Sequence, residues 1–333
     1  MWWDDAMAMS PQTRKLVGVI VLIVVVMAPA VVLAILGYGV LAATWVLPAM
    51  AGVTAGASTP SKLLVPYGAF LGVAGILASP GSDIPWLAAA VMLIVAGATS
   101  FTAQWGYNSS LVVGPITLAF TIAAPPTYEG VTSQLSTALL TGLVLFAATT
   151  WGALLTHAAT RSLGLKGGMK RDRARSAIFA TAVSVEVAIT AWVVVYFNFG
   201  HSGAWVMLTL LVVIQPTMSD SVTKGLHRAA GTVLGVFLAM VIAFLVPWQW
   251  LIVCIGIACI VLALMFMTVW KGPYWRYVLF LTPAIVLLEG MDTSIPLTAE
   301  HRLIATLIGS AAALLTIAAL YPFVSDRLKN GTN

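Results

Sequence analysis

The chain has 333 residues, of which 60% are hydrophobic and only 8% are charged, and its formal net charge is +5. Globular domains carry about three times that share of charged residues, so the composition excludes a soluble domain and predicts an all-α polytopic membrane protein. The basic residues lie in short turns beside apolar runs. Membrane topology explains them better than nucleic-acid binding, and we expect no nucleic-acid partner.

The first apolar run starts near residue 16, and no charged side chain occurs from Leu16 to Ser61. One helix of that length would be roughly 70 Å long, more than twice the thickness of a bilayer's hydrocarbon core. The segment must therefore fold back, and Gly37-Tyr38-Gly39 is the expected turn. The sequence before the first run lacks the pattern of a cleavable signal, so this run is expected to remain as the first span.

Breaks rich in charge, glycine or proline divide the chain into about twelve predicted spans. The first six lie near 16–37, 41–57, 63–80, 85–104, 110–126 and 134–159. The second six lie near 176–199, 203–217, 228–246, 249–269, 277–291 and 302–324.

The two sets of spans share several residues in register. Gly68 and Gly72 correspond to Gly231 and Gly235, and other pairs are Trp86 with Trp248, Pro115 with Pro283 and Gly142 with Gly309. We therefore predict two six-helix membrane repeats, residues 1–160 and 176–333, joined by a basic cytoplasmic linker at 161–175. An even number of spans in each repeat would leave both repeats in the same orientation.

The distribution of basic residues predicts the topology. With the N-terminus inside, the outer segments contain only Arg302, and the inner segments contain Arg14, Lys15, Lys62, Arg161, Lys166, Lys170, Arg171, Arg173, Arg175, Lys224, Arg228, Lys271, Arg276, Arg327 and Lys329. This bias is what the positive-inside rule requires. Both termini are therefore expected in the cytoplasm of a bacterium, with the chain in the inner membrane.

A motif in the second half resembles the signature of the fusaric acid resistance protein-like family, which includes aromatic acid exporters and is similar to the plant aluminium-activated malate transporters. It consists of Trp205, Gln215-Pro216-Thr217, Lys224, Arg228 and Gly231-Thr232-x-x-Gly235. Arg302-x-x-x-Thr306-x-x-Gly309 resembles the family's last-span motif. The resemblance implies export of small, often aromatic, carboxylates, together with a periplasmic adaptor protein of the membrane-fusion type. Many members carry six spans and a large cytosolic domain, whereas this chain is expected to depart from that pattern with two membrane halves and without the soluble part.

Glu186 lies near the middle of the seventh predicted span. A carboxylate at that depth costs roughly 3 kcal/mol on insertion scales, so it should face the interior of the helix bundle, with Thr190 on the same helical face. Two roles fit this position: proton exchange during transport, or a structural, hydrogen-bonded glutamate.

Lys224 and Arg228 lie four residues apart, next to Gln215 and Thr217 at the preceding stop. Two cations on one helical face could gather an anionic substrate from the cytosol. They could equally bind lipid phosphates at a membrane edge.

The segment from Trp270 to Tyr277 combines flat aromatic faces with two cations. An aromatic carboxylate could stack on Tyr274 while its charge pairs with Lys271 or Arg276. The competing interpretation is an interfacial belt of aromatic residues and cations.

The predicted second, fifth, eighth and eleventh spans are short, and the fifth and eleventh contain Pro115 and Pro283. Short or interrupted segments at equivalent positions favour a midplane binding site between broken helices, although they could also be tilted packing elements.

On the predicted outer side, Arg302 lies within a few residues of Asp292 and Glu300, and Glu289 precedes Asp292 by one turn. An interfacial ion pair is the default interpretation, and an outer gate is the alternative.

Taken together, these features favour a proton-driven inner-membrane exporter of small organic anions, with the lipid bilayer as its environment. The alternatives are a passive organic-anion channel resembling the malate transporters and a scaffold without transport activity. The chain contains no motif for metal-dependent hydrolysis, for a serine nucleophile or for phosphate binding, so we expect no enzyme, no cofactor and no metal site.

Overall fold

The computed structural model describes residues 11–160, 170–268, 270, 272–291 and 294–330. These residues are almost all helical, and no strand occurs among them. The helices are α1 (Pro11–Ile35), α2 (Gly39–Ser58), α3 (Leu64–Gly81), α4 (Pro85–Phe101), α5 (Asn108–Leu111), α6 (Val113–Ala123), α7 (Gln134–Thr160), α8 (Arg173–Tyr196), α9 (Gly200–Val213), α10 (Met218–Leu245), α11 (Gln249–Thr268), α12 (Tyr274–Glu289) and α13 (Ile295–Asn330).

Each predicted span overlaps a helix, or the α5–α6 pair. Nine helices in the described part of the chain are long and apolar enough to cross a membrane, and shorter apolar helices occupy Asn108–Ala123 and Gly200–Val213. The protein is therefore a multi-pass helical membrane protein, as its composition predicts.

Helix α10 starts at Met218, ten residues before the predicted span at 228. The Thr217 hydroxyl accepts a hydrogen bond of 3.2 Å from the Asp220 amide and thereby caps the helix. Charged residues interrupt the apolar run from which a span is predicted, but they do not prevent the chain from forming a helix. Lys224 and Arg228 consequently lie within α10 and not in a basic turn.

The described chain forms two compact units. Of the described residues, the N-terminal unit comprises 22–160, 170–216 and 318–330, and the C-terminal unit comprises 11–21 and the described part of 217–317. Helices α8 and α9 thus pack within the N-terminal unit, and the boundary between the units follows Pro216. Compactness and sequence duplication are different properties, so the division into repeats at 160 and 176 stays a prediction.

In the N-terminal unit, α2 and α3 both pack closely on α7 because glycines line the contacts. A Cβ atom at Gly52 would collide with the backbone oxygen of Thr149, and one at Gly152 would collide with the oxygen of Ala49. Gly72 faces the backbone of Gly142 in the same way. Small residues that let backbones approach are the usual basis of helix association in membranes.

We expect Gly52→Ala to destabilise the N-terminal unit by about 1–3 kcal/mol, because the added methyl group meets backbone atoms that can move only with α7. The measurement is the thermal midpoint of the purified protein in detergent. Gly18→Ala is the matched control, since no neighbouring atom lies within 4 Å of the position that its methyl group would occupy. An unchanged midpoint for Gly52→Ala would contradict the close packing of α2 on α7.

The fifth predicted span is interrupted between Leu111 and Val113. Pro115 has no amide hydrogen, so it cannot bond the carbonyl of Leu111 four residues earlier. The Tyr67 hydroxyl of α3 donates to this carbonyl at 2.9 Å and satisfies it.

Tyr67→Phe should therefore lower stability by about 1–3 kcal/mol, the usual cost of leaving a buried carbonyl without a donor. Thermal unfolding of the variant in detergent measures this. Tyr196→Phe removes a hydroxyl from a tyrosine that is 60% exposed, and it should have little effect. Equal effects of the two substitutions would rule out the specific role of Tyr67.

In the C-terminal unit, α10 and α11 pack on α12. A Cβ atom at Gly231 would lie 2.7 Å from the Trp275 oxygen, and one at Gly235 would lie 2.9 Å from the Leu279 oxygen. Pro283 cannot bond that Leu279 carbonyl, yet α12 continues through the proline without a break. The two predicted glycine pairs thus both bring helices together, but Gly68 and Gly72 face α7 whereas Gly231 and Gly235 face α12.

Candidate functional site

Two arginines are buried inside the C-terminal unit. Arg228 of α10 and Arg302 of α13 are each only 4% exposed. Their guanidinium groups lie within electrostatic range of each other, and Arg302 also interacts with Glu289, Tyr277 and Tyr274. Arginine inside a membrane bundle is costly and usually marks a functional site.

Helix α10 presents three charged residues on one face at intervals of four: Asp220, Lys224 and Arg228. Arg228 donates from Nη1 to the Tyr274 hydroxyl of α12 at 3.1 Å. The Lys224 ammonium group lies 5.8 Å from the centroid of the Tyr274 ring, within the range of a cation–π contact. Tyr274 therefore links both α10 cations to the start of α12.

Among the described residues, the cluster has more cationic than anionic side chains. Electrostatic interactions connect Lys224 with Asp220 and Arg228, and Arg302 with Glu289. Among the described residues that these interactions connect, three cations against two carboxylates leave one excess positive charge. An excess charge in a membrane interior is stabilised by an ion of opposite sign, so the cluster is suited to an anion.

The structure joins two sets of residues that the sequence placed on opposite sides of the membrane. Arg228 and Lys224 are predicted at the inner end and Arg302 and Glu289 at the outer end, yet all four contribute to one connected cluster. Arg302 is buried and lies two turns inside α13, which starts at Ile295, so whether it forms an interfacial ion pair or an outer gate stays a prediction. Asp292, the third residue of the predicted outer gate, lies outside the described residues.

Arg276 is not part of this cluster. Its side chain is exposed, and its guanidinium group lies 5.5 Å from the Trp275 ring and 5.8 Å from the Phe266 ring. This environment is typical of an interfacial aromatic belt. Lys271 lies outside the described residues. Of the described residues in the predicted aromatic–cation segment, Tyr274 and Tyr277 reach the cluster.

Gln215 and Thr217 both stabilise helix ends. The Gln215 amide nitrogen donates to the carbonyls of Val212 at 2.9 Å and Ile214 at 3.1 Å, at the end of α9. Thr217 caps α10 as described above. Substrate binding by these two residues stays a prediction.

Glu186 lies at the edge of the buried face of α8 in the N-terminal unit. Its side chain is partly buried and both carboxylate oxygens are shielded from the surroundings. The neighbouring Val183 and Val187 are buried, whereas Ile189 is 59% exposed, as expected from the helical period. The Thr190 hydroxyl donates to the backbone carbonyl of Glu186 at 2.8 Å, and not to its carboxylate.

Tyr277 belongs to the charged cluster but is not singled out by the sequence analysis. It interacts electrostatically with Tyr274, Arg228 and Arg302. The available signal is its spacing of three residues from Tyr274, which places both rings on one face of α12. Their ring centroids are 5.8 Å apart.

The fold and the cluster define a class: a multi-pass helical membrane protein with buried cations within one of its units. Residues 187–316 match the model of the fusaric acid resistance protein-like family. The resemblance predicted from the motifs is thereby confirmed over this segment, which contains Arg228, Tyr274, Glu289 and Arg302.

Two curated relatives match segments of similar length. A stretch of 114 residues is 32% identical to an uncharacterized protein of Synechocystis sp. and makes up 34% of this chain and 15% of that protein. A stretch of 147 residues is 29% identical to an uncharacterized protein of Haemophilus influenzae and makes up 43% of this chain and 20% of that protein. The chain thus spans a fifth or less of the length of these relatives. No solved structure matches it.

Proposed function

We propose that this protein exports small organic anions, with aromatic carboxylates as the expected class, across the bacterial inner membrane at the expense of the proton gradient. The observation that carries the proposal is the pair of buried arginines, Arg228 and Arg302, from two helices of one unit. The family match over residues 187–316, which suggests a membrane transporter, supports it independently.

The cluster supports this substrate class in two ways. A guanidinium group offers parallel N–H donors that match the two oxygens of a carboxylate. The rings of Tyr274 and Tyr277 lie beside the cations and could pack against an aromatic ring of the substrate. The Arg228–Tyr274 hydrogen bond fixes one guanidinium group in advance, which lowers the entropic cost of binding.

Proton coupling is assigned to Glu186. Its carboxylate is shielded within an apolar helix, the setting in which intramembrane acids serve as proton carriers. Thr190 supports α8 next to it through the bond to the Glu186 carbonyl.

The experiment that tests the proposal uses purified full-length protein in proteoliposomes loaded with a panel of carboxylates: benzoate, 4-hydroxybenzoate, cinnamate and acetate. We expect an imposed pH gradient to drive the aromatic acids against their own gradient, and an uncoupler to abolish this movement. Voltage-driven single-channel currents carried by the same anions would instead establish the alternative, a passive channel. No flux of any carboxylate would contradict both.

A periplasmic adaptor protein of the membrane-fusion type is part of the proposal as a partner. Affinity purification of the tagged chain from its native membrane, with and without a crosslinker, tests this partnership. Purification without any envelope adaptor in both conditions would contradict it.

A further inference from the structure

The N-terminal unit contains a cavity of about 310 Å³ between α2, α6, α7 and the start of α9. Its walls are mostly apolar and include Pro48 and Phe120. None of the described residues that line it is an aspartate, a glutamate, a lysine or an arginine. A concave, largely apolar space of this size with a few polar groups is typical of small-molecule sites.

The polar groups of the cavity are three threonine hydroxyls and the imidazole of His201. Each hydroxyl donates its hydrogen to a backbone carbonyl of its own helix: Thr44 to Val40 at 2.8 Å, Thr117 to Val113 at 2.9 Å and Thr121 to Thr117 at 3.0 Å. A hydroxyl has one hydrogen and two lone pairs. Toward a ligand in the cavity, these three hydroxyls can therefore act only as hydrogen-bond acceptors.

One wall is aromatic and held in place by edge contacts. The Phe120 ring centroid lies 5.2 Å from that of His201 and 4.7 Å from that of Trp205, with interplanar angles of 68° and 83°. Such T-shaped contacts hold a ring in one orientation. The fixed Phe120 ring gives a flat apolar surface beside the acceptor hydroxyls.

We propose that this cavity binds a neutral single-ring aromatic compound that carries a hydroxyl or N–H donor. An anion is disfavoured because the hydrogens of the lining threonine hydroxyls are already donated and none of the described lining residues is a lysine or arginine, so that His201 alone among the described lining side chains offers an N–H. A dry cavity of about 150 Å³ accommodates benzene, so a cavity of about 310 Å³ leaves room for a ring and its substituent. The site goes beyond the proposed anion transport, because it takes an uncharged compound and lies in the other unit.

The test uses the full-length protein in lipid nanodiscs and three fluorinated probes that differ in one group: 4-fluorobenzyl alcohol, its methyl ether and 4-fluorobenzoate. Dissociation constants come from ¹⁹F NMR line broadening, corrected with empty nanodiscs. We expect the alcohol to bind about three- to tenfold more tightly than the ether, because only the alcohol can donate a hydrogen bond and one such bond contributes a difference of this size. Ala43→Phe, which fills the cavity, should abolish alcohol binding, and Ala90→Phe on exposed α4 surface should leave it unchanged.

Threonine variants keep the proposal testable if Ala43→Phe fails to fold. Thr44→Val and Thr121→Val keep the side-chain shape but remove an acceptor. In at least one of these variants, the ratio of the dissociation constants of the ether and the alcohol should fall to about one. The proposal is overturned if both variants keep the full preference, or if alcohol and ether bind equally to the original protein, as expected for a cavity that holds a lipid chain. Weaker binding of the alcohol than of 4-fluorobenzoate, with the benzoate excluded by Ala43→Phe, would also overturn it.

Discussion

Arg228→Gln is expected to weaken the apparent affinity for exported carboxylates by about 10- to 150-fold, because a hydrogen bond to a charged group contributes about 1.5–3 kcal/mol. Arg228 is almost fully buried and is oriented by Tyr274, so its guanidinium group cannot be replaced by lipid-facing cations. The measurement is initial efflux from proteoliposomes as a function of substrate concentration. Arg228→Lys keeps the charge but loses the fork of donors, and an intermediate effect is expected.

Arg276→Gln is the matched control for this prediction. It removes the same charge from the same unit, but Arg276 is exposed and stacks on Trp275 and Phe266 outside the cluster. The apparent affinity of Arg276→Gln for exported carboxylates should stay within about twofold of that of the unsubstituted protein, because most substitutions of exposed residues have small effects. If both variants lose affinity equally while both remain folded in thermal scans, the charge of the membrane edge and not the buried cluster would be responsible.

Glu186→Gln is expected to abolish accumulation against a gradient while leaving downhill flux in place. The substitution keeps the shape of the side chain and removes its ability to release a proton, so only the coupling should be lost. The measurement is substrate movement in proteoliposomes with and without an imposed pH gradient.

Glu300→Gln is the control for Glu186→Gln, since Glu300 is exposed on α13. It should behave like the original protein under both conditions. Continued accumulation by Glu186→Gln, driven by the pH gradient, would assign Glu186 a structural role and remove the proposed coupling site.

The helices of this protein could be predicted because their determinants are local. Long apolar runs separated by glycine, proline and charge locate each helix to within a few residues, with two exceptions. Helices α10 and α13 begin ten and seven residues before the predicted spans. The predicted spans start later because they are defined as continuous apolar runs, and Lys224 and Arg302 interrupt such runs. Thr217 as a cap and Pro296 in a first turn are the signals for the true starts.

The composition of the charged cluster could not be predicted, because it depends on which helices pack together. Gly231 and Gly235 specify a close contact but do not specify its partner, which is α12 in this unit. That choice brings Tyr274 to Arg228. Arg302 likewise lies two turns inside α13, and its interaction with Arg228 depends on how the helices pack and not on the local sequence.

Photolabelling with 4-azidobenzoate tests the central claim, that the buried arginines of α10 and α13 bind the transported anion. The full-length protein in nanodiscs is irradiated with the label in the presence and absence of excess benzoate, and the adducts are located by peptide mass spectrometry. We expect benzoate-sensitive adducts on peptides that contain Arg228, Tyr274 or Arg302, and their loss in Arg228→Gln. Benzoate-sensitive adducts confined to other helices, or undiminished labelling of these peptides in Arg228→Gln, would contradict the account.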